Sequence, residues 1–289
     1  MRRSQLVTPA SSLKMIEKGA KVDCDSLIID LEDAIAPDKK DEARIIMRNA
    51  LTVLHFEHKE IGVRINGLES PWFLDDLLAL GGMPIDTIVV PKVHGAEDVH
   101  ACEAMVRQLE LRGGMAGKTL QLLIESARGL ENITEIARAS SRCEALIFGV
   151  GDYIADTGIA FNSRALWYAR SRVAAAAAAA GIQALDHVHP EVANSAALAV
   201  EAAEARDLGF TGKWAIHPLQ VPVINEAFSP NEKQIAQAQR VIEAYEQSLA
   251  RGIGAIVVDG TLVDEASLKI ARRHQGAALK MGRCASPGS

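Results

Sequence analysis

The feature that most constrains the fold is a regular alternation of short apolar runs with longer amphipathic stretches. Near-continuous apolar runs are typical of strands in a parallel sheet that is covered on both faces. The intervening stretches have helical spacing, for example residues 97–111 and 130–139. The predicted strands are residues 5–8, 26–31, 62–65, 87–91, 120–124, 145–149, 182–186 and 213–216.

This order of strands and helices in a chain of 289 residues favours a closed (β/α)₈ (TIM) barrel over an open doubly wound sheet. Hydrophobic residues make up 48% of the chain, which is enough for a large core. The choice depends on the count of eight strands, because one misassigned strand would reopen the open-sheet alternative. We expect the barrel over residues 1–228, a C-terminal helical extension and lid over 229–282, and a disordered tail over 283–289.

Composition excludes several functional classes. The net charge is −6, so nucleic acid is not expected as the main partner. No apolar stretch is long enough to span a bilayer. The four cysteines form no C-x-x-C pair, which argues against structural zinc and disulfides and favours the reducing cytoplasm.

Charged residues follow the predicted strands, where burial would penalise them unless they had a function. In a barrel, all strand carboxyl ends open onto one face, where active sites lie. We therefore expect a site on that rim. The rim residues are Asp30, Glu32, Asp33, Arg64, Asn66, Lys92, Glu125 and Asp152.

Glu125 and Asp152 follow adjacent strands and are the predicted metal ligands. Two carboxylates completed by waters or substrate oxygens are typical of an octahedral Mg²⁺ site, with Mn²⁺ as an alternative ion. A salt bridge to Arg128 is the structural alternative for Glu125. For Asp152 the alternative is a helix N-cap.

Arg64 ends an otherwise apolar strand, where a guanidinium can stabilise a developing enolate. It can equally pair with Glu32 or Asp33. Asp30, Glu32 and Asp33 are expected either to hydrogen-bond metal-bound water or to pair with Arg64 and Lys92. The histidines that follow the last two strands are expected mainly to hydrogen-bond loops: His187, His189 and His217.

Several of these segments occur together in a known family. The chain resembles the HpcH/HpaI aldolase and citrate lyase β-subunit (CitE-like) family, and within it the malyl-CoA, β-methylmalyl-CoA and citramalyl-CoA lyases. The resemblance covers nearly the whole chain. It rests on RRSQLVTPASSLKMIEKGA, DLEDAIAPDKKDEAR, VRING, VVPKV, LIESARGLEN, IFGVGDY, GKWAIHP and GAIVVDGTLVD.

The resemblance implies a TIM barrel that assembles as a trimer or a dimer of trimers. It implies that Glu125 and Asp152 bind Mg²⁺ and that Arg64 stabilises the enolate. It also implies that coenzyme A lies across the barrel mouth near the basic N-terminal segment. Arg3, Lys14 and Lys92 are the candidate residues for binding it. Ordinary solvated charge is the alternative for the basic residues of the N-terminus.

The segment VVDGTLVDEA resembles the family's C-terminal lid, whose aspartate enters the active site of the neighbouring subunit. Asp264 matches that aspartate. The implied reaction is reversible cleavage of a 3-hydroxyacyl-CoA into acetyl- or propionyl-CoA and glyoxylate or pyruvate, with Asp264 protonating the enolate carbon. A citryl-CoA lyase subunit, an HpcH-type aldolase and a malyl-CoA thioesterase remain alternatives. The sequence leaves the acyl group, stereochemistry and direction open.

Overall fold

The computed structural model describes residues 1–56, 58–113, 117–161 and 163–280. Eight parallel strands form a closed barrel in chain order, each paired with its neighbours in sequence, and the first pairs with the eighth. The predicted TIM barrel is therefore confirmed. The barrel strands are β1 (Ser4–Pro9), β2 (Ser26–Asp30), β3 (Glu60–Arg64), β4 (Thr87–Val90), β5 (Thr119–Ile124), β6 (Cys143–Phe148), β7 (Gln183–Asp186) and β8 (Gly212–Ala215).

Helices separate the strands and form the outer layer. Short 3₁₀ turns lie at Pro37–Lys39 and Pro218–Gln220. In the part of the chain that the structure describes, no helix is both long and apolar enough to cross a membrane. The α-helices of this unit are α1 (Leu13–Ala20), α2 (Lys40–Val53), α3 (Phe73–Ala79), α4 (Ala96–Leu111), α5 (Ala127–Glu131), α6 (Ile133–Ile136), α7 (Val150–Thr157), α8 (Arg164–Ala180), α9 (Ser195–Asp207) and α10 (Val221–Ala227).

The helix predicted over residues 130–139 is wrong in its extent. Two short helices, α5 and α6, are found instead, and they meet at Asn132. The Asn132 side chain donates a hydrogen bond to the His94 carbonyl (2.8 Å). Gly129 lies so close to the Val93 carbonyl that a Cβ atom would stand 2.5 Å from it. Contacts with the loop after β4 therefore determine where the two short helices meet.

Successive side chains of a strand point to opposite faces of the sheet, so every second residue faces the barrel interior. The interior cluster includes Ile28, Leu123, Ile147 and Trp214. Leu123 faces inward, so the same period of two directs Glu125 toward the interior at the strand's carboxyl end. The larger hydrophobic core lies between the strands and the helices.

The described residues from Ser229 to Lys280 belong, with Met1, to a second compact unit, and the first spans Arg2–Phe228. The second unit contains α11 (Glu232–Leu249), an antiparallel hairpin of β9 (Ile256–Val258) and β10 (Thr261–Val263), and α12 (Glu265–Lys280). Its small core includes Ile242, Tyr245 and Leu268. The tail predicted over 283–289 lies outside the described residues.

Candidate active site

Arg64 and Asp30 are paired by the strand register at the carboxyl ends of β3 and β2. The Arg64 guanidinium donates to both Asp30 oxygens, through Nε and Nη2, each at 2.7 Å. Its Nη1 lies 2.9 Å from Glu32 Oε2 and 3.7 Å from an Asp33 oxygen. The guanidinium carbon lies 5.6 Å from the ring centroid of Trp214. Arg64 is therefore fixed over the barrel interior by contacts on several sides.

The charge of Arg64 is secured by these neighbours. Burial disfavours the guanidinium cation, but the carboxylates of Asp30, Glu32 and Asp33 outweigh it and raise the pKa of Arg64 above its usual value. A guanidinium has five N–H donors, and Asp30 accepts two of them. Donors remain for an oxyanion at the mouth of the barrel.

Glu125 is almost fully buried, at 3% exposure. Its Oε1 accepts a hydrogen bond from the Lys92 backbone N–H (2.6 Å). Its Oε2 occupies the space beside Gly149, where an added Cβ would stand 2.4 Å from that oxygen and 2.6 Å from the Glu125 Cβ. A residue without a side chain at position 149 is what allows the carboxylate to lie there.

Asp152 lies in the first turn of α7, where the helix dipole favours a negative charge. The N-cap of that helix is Gly149, so Asp152 is not the cap. Arg128 forms its ion pair with Glu97, at 2.9 Å, rather than with Glu125. The structure therefore supports neither structural alternative: Glu125 is not the ion-pair partner of Arg128, and Asp152 is not a helix N-cap.

Negative charge accumulates around Glu125. Burial, followed by the charges of Glu32 and Asp152, raises the pKa of Glu125 to about 8. Burial also raises the pKa of Glu32, against the opposing effects of Arg64 and Lys92. Glu32 Oε2 is buried and accepts no hydrogen bond within the described residues, although Arg64 Nη1 lies 2.9 Å away. Oxygen ligands with excess negative charge are the donor set that a hard divalent cation prefers, so these residues fit Mg²⁺.

Lys92 links the acidic residues of the β2 loop to Glu125. Its ammonium group contacts Glu32 (2.6 Å) and Asp33 (3.2 Å), while its backbone binds Glu125. The pKa of Lys92 is raised, since these two carboxylates outweigh the effect of burial. Lys92 has a positive φ of 54°, an uncommon conformation for a residue other than glycine. The ion pairing expected for Glu32 and Asp33 is thus present, and Glu32 lies close enough to Glu125 to influence its charge.

Sequence reasoning missed Lys40, which is buried at the start of α2. Its ammonium donates to the carbonyls of Leu31 (2.8 Å) and Glu32 (2.7 Å) and to Asn66 Oδ1 (2.7 Å). It also lies 5.2 Å from the ring centroid of Trp72. Lys40 therefore holds the backbone that positions Glu32. The only sequence signal is a lysine ten residues after the end of β2, which resembles an ordinary solvated charge.

A pocket of about 350 Å³ opens at the rim beside this cluster. The loops after β2, β3 and β4 line it. Its polar residues include both acidic and basic side chains, and Trp72 contributes an aromatic wall. The lining residues are Glu32, Asp33, Ile35, Pro37, Lys40, Asn66, Gly67, Leu68, Glu69, Ser70, Trp72, Lys92, His94 and Asp98.

Arg3 is not brought to this rim, and its prediction as a CoA-binding residue requires correction. It precedes β1 and lies at the amino-terminal end of the barrel, where its guanidinium pairs with Asp25 (2.6 Å). Lys14 is exposed in the first turn of α1, which follows the carboxyl end of β1, and so it does lie on the rim side.

Asp264 precedes α12 in the C-terminal unit and is exposed. Its Oδ1 accepts hydrogen bonds from the Ser267 N–H and hydroxyl, both at 3.0 Å, and these lower the pKa of Asp264. In this single chain Asp264 is therefore a helix-capping carboxylate.

A second buried charge cluster lies between the barrel and its helices. Asp186 binds Arg170 through two hydrogen bonds and Lys213 at 2.8 Å. Burial opposes ionisation of Asp186, but these cations outweigh it and hold its pKa low. Burial lowers the pKa of the neighbouring His187 to about 4. Although Asp186, His187 and Glu201 are close enough to share an ion, Arg170 and Lys213 already neutralise the acids.

Of the other two predicted histidines, His217 hydrogen-bonds its own loop, as expected, whereas His189 contacts a side chain of helix α9. His189 Nδ1 lies 2.9 Å from Glu201. His217 Nδ1 accepts a hydrogen bond from the Leu219 N–H at 3.2 Å and caps the 3₁₀ turn. Neither contact is with the rim carboxylates.

Comparison with known proteins agrees with this architecture. Residues 3–218 match the family model for HpcH/HpaI aldolase/citrate lyase. The L-malyl-CoA/β-methylmalyl-CoA lyase of Cereibacter sphaeroides is 36% identical, over 92% of this chain and 91% of that protein. The citrate lyase subunit β of Escherichia coli is 34% identical, over 94% and 93%.

Among solved structures, CitE from Mycobacterium tuberculosis in complex with magnesium, acetoacetate and coenzyme A is 32% identical. It superposes with a TM-score of 0.75, over 94% of this chain and 97% of that one. RipC from Yersinia pestis is 33% identical with a TM-score of 0.69, over 81% and 98%. The chain belongs to the HpcH/HpaI aldolase/citrate lyase family.

Proposed function

We propose that this protein is a Mg²⁺-dependent carbon–carbon lyase that cleaves a 3-hydroxyacyl-CoA reversibly. The substrates are malyl-, β-methylmalyl- or citramalyl-CoA, and the products are acetyl- or propionyl-CoA with glyoxylate or pyruvate. The observation that carries the proposal is the buried carboxylate of Glu125, which lies beside Gly149 amid the charges of Glu32 and Asp152. Relatives named as malyl-CoA lyases and citrate lyase subunits support the same reaction class.

Glu125 and Asp152 would hold the Mg²⁺, which when bound offsets negative charge on the oxygens of the oxo-acid product. Their negative charge is stable there only with a compensating cation or proton. Asp30, Glu32 and Asp33 fix the surrounding charge, and the Lys92 N–H orients Glu125.

Arg64 stabilises the enolate oxygen of the departing acyl-CoA. Its bidentate pairing with Asp30 holds the guanidinium rigidly, so little reorganisation is needed as the enolate charge develops. The N–H groups that Asp30 does not engage are the donors for that oxygen. Retention of positive charge is ensured by the raised pKa of Arg64.

Asp264 protonates the enolate carbon in the cleavage direction and removes the proton in condensation. The hydroxyl proton that cleavage releases passes to water, and Asp264 regains its proton from water. The proposal requires an oligomer, a trimer or a dimer of trimers, in which the hairpin of one subunit covers the barrel of another. Removing Asp264 from water would raise the pKa that its hydrogen bonds now lower. A carboxylate desolvated in this way is a competent acid.

Coenzyme A would lie along the rim, with Lys14 and Lys92 near its path.

Three buried cysteines without disulfides, Cys24, Cys102 and Cys143, support function in the reducing cytoplasm.

The test is to incubate the purified protein and Mg²⁺ with each of the three thioesters, with citryl-CoA, and with pyruvate plus an aldehyde, and to identify the products. Glyoxylate or pyruvate together with an acyl-CoA is the expected result, abolished by chelation of the metal. Release of the free hydroxyacid and CoA would instead indicate a thioesterase. Cleavage only of citryl-CoA would indicate a citrate lyase subunit, and condensation of free pyruvate with an aldehyde would indicate an HpcH-type aldolase.

A further inference from the structure

His94 lies in the loop after β4 and lines the rim pocket. Its backbone is anchored on both sides. The N–H donates to Asp98 Oδ2 (2.7 Å), and the carbonyl accepts from Asn132 Nδ2 (2.8 Å). The position of this residue is therefore determined by two helices, α4 and the α5–α6 junction, and by the loop itself.

The ring of His94 is oriented as well. Its Nδ1 lies 2.8 Å from Ser126 Oγ, and that hydroxyl oxygen already accepts a hydrogen bond from the Gly129 N–H (3.0 Å). Within the described chain, His94 Nδ1 is the one acceptor found for the Ser126 hydroxyl proton. Donation by Ser126 leaves the imidazole proton on Nε2. The ring nitrogen available to a ligand is then an N–H donor.

The two lysines of the pocket already have oxygen partners. The Lys92 ammonium contacts Glu32 and Asp33, and the Lys40 ammonium donates to three oxygens. Asp98 and the exposed Glu69 add two further carboxylates to the lining, so an additional anion would meet excess negative charge. The pocket therefore disfavours anionic groups such as phosphate or carboxylate.

Polar and apolar groups for an uncharged ligand are both present. Ser70 Oγ is buried and has no hydrogen-bond partner among the described residues, although it lines the same pocket. Trp72, Ile35 and Leu68 provide apolar surface. A buried hydroxyl without a partner is unfavourable unless a ligand or water satisfies it.

We propose that His94 is a substrate-binding residue whose Nε2–H donates a hydrogen bond to an amide carbonyl in the pantetheine arm of the acyl-CoA. The inference rests on the proposed function. The pantetheine arm is the uncharged part of an acyl-CoA, and it combines amide groups with methylene and methyl groups. Those are the groups that His94, Ser70 and Trp72 can accommodate together.

The test compares His94→Leu, which removes the donor, with His94→Gln, which keeps one. Each is assayed with the CoA thioester and with the same acyl group on propanethiol, which lacks the amides. His94→Leu should raise KM for the CoA thioester about tenfold, as expected for loss of one hydrogen bond, with kcat changed less than about twofold. KM for the propanethiol ester should equal that of the wild type, and His94→Gln should recover part of the affinity.

An unchanged KM for the CoA thioester, or an equal loss on both thioesters, would overturn the assignment. Calorimetric titration with CoA alone separates this failure from failure of the proposed function. If the wild type cleaves no thioester but binds CoA, His94→Leu should still weaken CoA binding about tenfold. Equal CoA affinity in wild type and variant would refute the role of His94. A wild type that binds no CoA would refute both proposals.

Discussion

Substitution of Gly149 by alanine perturbs the candidate metal site without removing either carboxylate. The new Cβ would stand 2.6 Å from the Glu125 Cβ and 2.4 Å from its Oε2. The preferred separation of two carbon atoms is about 3.5–4.0 Å, so roughly 1 Å of movement is required. The backbone at Gly149 has a φ of −94°, which alanine also adopts, so the effect comes from the contact alone.

A movement of roughly 1 Å is larger than the positional tolerance of a metal site. Productive site geometry tolerates about 0.5 Å, and Mg²⁺ demands near-ideal octahedral coordination. We expect Mg²⁺ affinity to fall about 10- to 100-fold, as for disruption of the groups that orient metal ligands. Crowding should also cost about 1–3 kcal/mol of unfolding free energy.

The assay is lyase activity against Mg²⁺ concentration, with urea unfolding measured in parallel. Gly151→Ala is the matched control, because a Cβ at that position meets no atom within 4 Å. Its Mg²⁺ dependence should match the wild type, and its stability should rise by up to about 1 kcal/mol, because alanine favours the helix. If Gly149→Ala and Gly151→Ala had the same Mg²⁺ dependence, the placement of Glu125 as a ligand would be refuted.

Three further perturbations test other groups. Arg64→Lys loses the bidentate geometry with Asp30, so kcat should fall about 10²–10³-fold with unchanged Mg²⁺ dependence; an unaffected kcat would exclude the enolate role. Asp264→Asn should lower kcat about 10²–10⁴-fold while calorimetric Mg²⁺ binding persists; full activity would remove Asp264 from the reaction. His187 stays neutral in the folded state down to a pKa of about 4, below its usual 6.5, whereas the unfolded chain takes up the proton earlier. The unfolding free energy should therefore fall by about 3 kcal/mol as pH drops from 6.5 to 4, and His187→Asn should remove that part of the slope.

The barrel and its rim follow from local patterns. Apolar runs mark the strands, and the residue after each run lies at the carboxyl end of a parallel strand. Simple alternation then places Glu125, Asp30 and Arg64 facing inward. The pairing of Asp30 with Arg64 follows from strand register, which the order of strands in the chain determines.

Other parts of the site depend on contacts between distant segments. Lys40, His94 and Ser126 have no distinctive pattern, because each is defined by a partner elsewhere in the chain. Basic charge in the N-terminal segment suits phosphate, but Arg3 precedes β1, and a residue before a strand lies at the other end of the barrel from one after it. Asp264 depends on assembly, which the sequence of one chain indicates only through family resemblance.

The central claim is that Glu125 and Asp152 hold the metal. Anomalous diffraction from crystals grown with Mn²⁺ tests it directly, since Mn²⁺ prefers the same oxygen ligands. We predict an anomalous peak within coordination distance of both carboxylates. A peak at Asp186 and Glu201, or no peak beside Glu125, would contradict the account.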